Sequence, residues 1–301
     1  QEALTEREVT KAYMPQVGDA HYNRGIRELL LGGDHPALAA ERVASIQAPG
    51  GCGALRIGAE LVKAANPGAR VWISTPTWPN HIPLIGSTGL AFQEYRYYDP
   101  ESHSVDFQGM LEDLQAARPG DVLLLHGCCH NPCGADLDQE QWREVTRVAA
   151  DRGMLPFIDT AYQGMGSGLD EDAFGVRHMA AELPELLVAA SNSKNMGLYR
   201  ERTGAVVFIG DDRDAAEAVT SQGTRAARQI YSMPPAHGAI LAGMVLTDAA
   251  LSGSWREELA QICERINSVR GLLADKLTAA CEQDFGFIRR EKGMFSFLGL
   301  D

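Results

Sequence analysis

Short apolar runs that end on polar tips recur along this chain. Val71–Ser74, Phe92–Tyr98, Val122–Leu125, Leu155–Asp159, Leu186–Ala190 and Ala205–Ile209 read as strands, with helical spacing between them at Phe107–Ala117, Gln139–Asp151 and Ala173–Leu183. This alternation predicts βαβ units, that is, a mostly parallel sheet covered by helices on both faces. Leu55, Ala59, Leu61, Val62 and Ala65 share a helix face, and Asp138 followed by Gln141 predicts a capping box opening another helix. From Ser254 to Cys281 the apolar positions Trp255, Leu259, Ile262, Ile266, Val269, Leu272, Leu273 and Leu277 predict one long helix. It suits a connector, which divides the chain into a large domain over residues 1–261 and the start of a small one over 262–301. No internal repeat or low-complexity tract interrupts the pattern.

Five of the tips carry chemistry. The run Leu186–Ala190 delivers Ser191, Asn192, Ser193, Lys194 and Asn195, with Arg202 soon after. A lysine brought out of a core strand is costly unless it is neutralised, paired or used covalently. Two hydroxyls and an arginine beside it suit a phosphate, and lysine plus phosphate site together suggest pyridoxal phosphate. Ala48-Pro49-Gly50-Gly51-Cys52-Gly53 leads into a helix, where backbone N–H groups and the macrodipole favour an anion. Leu155–Ile158 ends on Asp159, at the strand edge where ligands of such sheets bind, with Tyr162 just beyond. A carboxylate there could hold a protonated pyridine nitrogen. Val122–Leu125 runs into His126-Gly127-Cys128-Cys129-His130-Asn131-Pro132-Cys133, and Asn131 can present its amide to a ligand. Zinc is set aside for this tip because no second CxxC or HxxxH half is present, and adjacent cysteines on extended backbone point apart. Trp78, between Pro76 and Pro79, could lie flat on an aromatic ring. Each segment alone has an ordinary reading: a solvated lysine, a flexible glycine loop, a helix-capping carboxylate, a core tryptophan.

In their order, these segments resemble the fold-type I pyridoxal phosphate enzymes, and among them the class I aminotransferases of the aspartate and aromatic amino acid subgroup. The resemblance runs from Tyr13 to Gly299. It rests on ProGlyGlyCysGlyAlaLeuArg, TrpProAsnHis, CysCysHisAsnProCysGly, AspThrAlaTyrGlnGly, SerAsnSerLysAsn with GluArgThrGly, TyrSerMetProProAlaHisGly and GlyMetPheSerPhe.

The resemblance implies a three-layer α/β large domain, an incomplete small domain and a homodimer with shared sites. Lys194 would bond the cofactor and carry the substrate proton, and Asp159 would pair with the pyridine nitrogen. Tyr162 and Asn131 would bond the phenolic oxygen, and Trp78 would stack on the ring. Gly51, Cys52, Gly53, Ser191, Ser193 and Arg202 would hold the phosphate, with Tyr13 arriving from a second subunit. His126 would stand near Asp159, and Arg228 would meet the substrate's side-chain carboxylate across the interface. Cys52 replaces the family's hydroxyl residue with a weaker donor. Cys133 stands where the family has threonine. Both ends are expected to be short of the family's length, without the arginine that clamps the substrate α-carboxylate. The implied reaction is transamination from an aromatic amino acid or aspartate to 2-oxoglutarate. Alternatives are another pyridoxal phosphate reaction on this scaffold, such as a lyase or decarboxylase, or a catalytically incomplete fragment.

Composition narrows the setting. The formal net charge of −13 argues against nucleic acid or an anionic membrane as partner. No apolar stretch approaches a membrane span, and no charged-then-apolar leader opens the chain. Six cysteines fit a reducing cytoplasm better than a disulfide framework.

Overall fold

In the computed structural model, which describes residues 10–280 and 282–299, the predicted strands assemble into one seven-stranded sheet. In chain order the strands are β1 (Val43–Pro49), β2 (Arg70–Thr75), β3 (Ala91–Arg96), β4 (Tyr98–Asp99), β5 (Ser104–Val105), β6 (Val122–His126), β7 (Leu155–Thr160), β8 (Leu186–Ser191) and β9 (Thr203–Ile209). The sheet order is β1-β9-β8-β7-β6-β2-β3, and only β9 runs against its neighbours. The run Phe92–Tyr98 is not one strand. β3 ends at Arg96, and Tyr98–Asp99 pairs with Ser104–Val105 in a separate two-stranded ribbon.

Alternate residues of each central strand feed two different cores. Leu123, Leu125, Ile158 and Val188 pack on one face with Trp142, Val145 and Met179. Val122, Leu124, Phe157 and Leu187 pack on the other with Leu55, Ile57 and Val62. Both faces are covered, so the strands read as unbroken apolar runs. The helix Gly50–Ala65 lies close enough to the sheet that a Cβ on Gly58 would stand 2.3 Å from the Phe157 ring. The capping box forms as expected, with Asp138 accepting from the Gln141 N–H and Gln141 from the Asp138 N–H.

The long helix spans Ala249–Ala280, five residues longer at its start than the apolar pattern, because Asp248 accepts the Ala250 and Leu251 N–H groups. The division at 261/262 therefore falls inside a continuous helix. Ala236–Thr247 meets this helix at 97°, and among the described residues no single helix is long and apolar enough to cross a membrane.

Candidate active site

Every strand that carries a polar tip ends on one edge of the sheet, and the tips line a cavity of about 240 Å³. Gly51, Cys52, Trp78, Asn131, Asp159, Tyr162, Ser191, Ser193, Lys194 and Arg202 all face it, as do His126, Cys128, Leu55, Ala161 and Tyr199. Three expected residues do not. Gly53 packs behind the first helical turn, where a Cβ would stand 2.5 Å from Pro49 Cδ. Tyr13 is 88% exposed, and Arg228 is exposed in the last turn of the helix Arg213–Tyr231, outside the cavity of its own chain.

The lysine loop is held by buried amides. Tyr22 donates to Asn192 Oδ1 at 2.6 Å, Asn192 donates to Asn195 Oδ1, and Asn195 donates to the Gln163 carbonyl. Trp255, from the long helix, donates to the Asn195 carbonyl at 2.9 Å. Lys194 itself is left to face the cavity, with Nζ 4.7 Å from the centroid of the Tyr162 ring. Burial lowers its pKa below the usual lysine value, against the raising effect of Asp159 and Cys52 and with help from Arg202. Burial, then the Asp159 charge, push the Tyr162 hydroxyl up to about 12, although a hydrogen bond with Asn131 works the other way.

The cavity end at the helix mouth is built from backbone and fixed side chains. Gly50 has φ +71°, and a Cβ there would stand 2.5 Å from the Arg202 guanidinium, so only glycine lets the arginine close over the helix mouth. Arg202 donates to the Tyr199 carbonyl at 3.1 Å, and Ser191 Oγ donates to Ser193 Oγ at 3.1 Å. The segment after the long helix packs against Tyr162. Buried Arg270 donates to the carbonyls of Ile288, Gly293 and Phe295 and pairs with buried Glu291 at 3.0 Å. That clamp sets the Phe295 ring edge-on to Tyr162, with centroids 5.9 Å apart.

At the base of the cavity His126 stands beside Asp159 as expected, but a different histidine contacts the carboxylate. His126 lies across the strand pair from Asp159, but its Nε2 meets Thr77 Oγ1 at 3.1 Å. Asp159 Oδ2 meets Nε2 of fully buried His81 at 3.0 Å, and Thr77 Oγ1 bridges His81 Nδ1 at 2.8 Å. Burial, with His130 and His81 nearby, drives the His126 pKa well below its usual value, against the raising effect of Asp159. The sequence pointed to the TrpProAsnHis motif for its tryptophan and passed over its histidine.

Asp159 lines the cavity, and its buried Oδ1 has no hydrogen-bond partner among the described residues. A buried carboxylate oxygen left this way is expensive, and a protonated pyridine nitrogen is a donor that satisfies it. An amine, an anion cradle and a flat aromatic wall on the same cavity fit the aldehyde, phosphate and ring of pyridoxal phosphate. Fold and site thus define a fold-type I pyridoxal phosphate enzyme.

The family model described as aminotransferase class I and II matches residues 1–301. An aspartate aminotransferase of Haemophilus influenzae is 46% identical over 298 residues, covering 99% of this chain and 75% of that protein. An aromatic-amino-acid aminotransferase of Paracoccus denitrificans is 45% identical over 302 residues, with the same two coverages. The solved aromatic-amino-acid aminotransferase from Burkholderia pseudomallei, covalently bound to pyridoxal phosphate, superposes with a TM-score of 0.96 at 43% identity, covering 99% of this chain and 75% of that one. The chain belongs to the class I and II aminotransferase family, and it is a transaminase that works with pyridoxal phosphate. It spans three quarters of the length of these relatives.

Proposed function

We propose that the enzyme transfers the amino group of an aromatic amino acid, and also of aspartate, to 2-oxoglutarate, as a cytoplasmic homodimer. The observation that carries the reading is that Asp159, whose buried Oδ1 has no partner among the described residues, lines the same cavity as a lysine whose pKa burial has lowered. The cofactor, when bound, supplies an aldehyde carbon to bond the substrate nitrogen and a protonated ring to draw electrons from it. Asp159 holds the ring nitrogen's proton, and His81 fixes the carboxylate through Oδ2. Lys194 Nζ takes the proton from the substrate's α-carbon and returns it on the other side of the transfer. Arg202, Ser191, Ser193 and the Gly51 and Cys52 N–H groups hold the phosphate. Trp78 covers one face and keeps water from it, while Tyr162 and Asn131 hold the phenolic oxygen.

Mixing the cofactor-loaded protein with tyrosine or phenylalanine in a single turnover is expected to convert the aldehyde form of the cofactor to its amine form and to release the oxo acid. Aspartate should do the same at a comparable or lower rate. Loss of carbon dioxide, or an unchanged spectrum with every donor, would refute transamination.

Three features support the remaining proposals. All five cysteines among the described residues are free, as in a reducing compartment. Tyr13 and Arg228 are exposed and far from use in their own chain. In the homodimer, Tyr13 of the partner subunit reaches the phosphate and Arg228 of the partner subunit faces the substrate's second carboxylate. Lys194→Ala chains mixed with Arg228→Ala chains, under conditions of subunit exchange, should recover up to about one working site per hybrid on a dicarboxylic substrate. Confirmed hybrids without recovered activity would put Arg228 outside the shared site.

A further inference from the structure

The adjacent thiols after β6 do not diverge as extended backbone would make them. Cys129 takes a φ of +50°, and the Sγ atoms of Cys128 and Cys129 and a carboxylate oxygen of Asp172 all lie within 4.8 Å of one another. All three residues are buried, and they come from two loops that are far apart in sequence. Gly166 opens the space between them: a Cβ there would stand 2.8 Å from Asp172 Oδ1 and 3.1 Å from Cys129 Sγ. Asp172 is fixed in advance, since Oδ2 accepts the Gly164 and Gly166 N–H groups and Oδ1 accepts that of Ser167, each bond 2.8–2.9 Å long.

Two sulfurs and one carboxylate make a donor set for a soft or borderline divalent cation, and three protein ligands leave a coordination position open. We propose that Cys128, Cys129 and Asp172 form a binding site for a thiophilic divalent cation of the zinc or cadmium kind, at the edge of the cofactor cavity. The half-motif that argued against zinc in the sequence is completed by a ligand from another loop. On binding, each thiol releases its proton to solvent and its sulfur donates a pair to the metal. Asp172 supplies a carboxylate oxygen, and no electrons change hands. Cys128 also lines the cavity beside Asn131 and Asp159, so the cation and the cofactor share a wall.

Titrating the cofactor-loaded protein with cadmium should produce a thiolate-to-metal ultraviolet absorption that saturates near one equivalent per chain. Cys128→Ser and Cys129→Ser should each weaken binding at least tenfold and Asp172→Asn severalfold, while Cys133→Ser and Cys263→Ser leave the titration unchanged. Should a variant fail to fold, X-ray absorption of the zinc-loaded parent decides: two sulfurs at about 2.3 Å and oxygen near 2.0–2.2 Å are expected. No saturable signal in the parent, a signal that survives the double Cys128→Ser/Cys129→Ser change, or a zinc shell with no sulfur or only one would overturn the site.

Discussion

Replacing Lys194 by alanine is expected to lower turnover by at least about 10⁴-fold, since both covalent attachment and proton transfer are lost together. The fold should survive. The lysine loop is pinned by Tyr22, Gln163 and Trp255 through Asn192 and Asn195, none of which needs the lysine side chain. Taking a half-buried amine out of the cavity removes a desolvation cost, so thermal stability without cofactor should stay within about 1 kcal/mol of the parent or rise. Borohydride reduction of the parent should leave the cofactor on the peptide that contains Lys194. Label on Lys63, which donates to the Pro67 and Gly89 carbonyls, or on Lys276 would overturn the assignment. The direction of the Lys194 shift adds a pH signature. With its pKa below the usual lysine value, the neutral, nucleophilic amine gains population as pH rises and saturates earlier than a solvated lysine would. The rate of cofactor attachment should therefore climb with pH and level off below about 10.4. A rate still climbing above that pH would mean that the amine is not desolvated.

Asp159→Ala should leave the cofactor bound through its phosphate and slow α-proton removal by on the order of 10²–10³-fold or more, as when one preorganised electrostatic partner is deleted from a site. The reason lies in the two carboxylate oxygens. Oδ2 is committed to His81 at 3.0 Å, and the buried Oδ1 has no partner among the described residues. Removing the carboxylate costs the ring nitrogen its proton's anchor while sparing Arg202, Ser191 and Ser193. The measurement is the rate of the half-reaction with substrate, set against cofactor affinity by titration. Near-normal rates with intact affinity would reduce Asp159 to a structural partner of His81. Equal loss of both would mean that it holds the cofactor rather than tunes it.

Much of this site is local in the sequence because the fold puts chemistry at strand ends. A buried parallel strand is an apolar run, and the residue that follows it is at the ligand edge of the sheet. Asp159, Lys194 and Asn131 were legible for that reason. β1 was not read as a strand, since Ser45 and Gln47 interrupt its apolar run. Gln47 is fully buried, accepting from the Asp19 N–H and donating to the Pro235 carbonyl, partners that no local pattern announces. The single run at Phe92–Tyr98 split because β3 is an edge strand, where the apolar pattern outlasts the pairing that defines the strand.

The sequence by itself determined the βαβ order, the lysine and aspartate at their strand tips, and the glycine-rich loop that opens a helix, because each depends on residues that are neighbours along the chain. Only the tertiary structure decided which histidine holds Asp159, since His81 and His126 both reach Thr77 and only His81 Nε2 reaches the carboxylate. It also brought Cys128, Cys129 and Asp172 together, through a positive φ at Cys129 and a loop pinned by backbone amides. Periodicity reports which face of an element is buried. It carries no information on which side chains from distant elements meet there, and that is fixed by packing across the whole sheet.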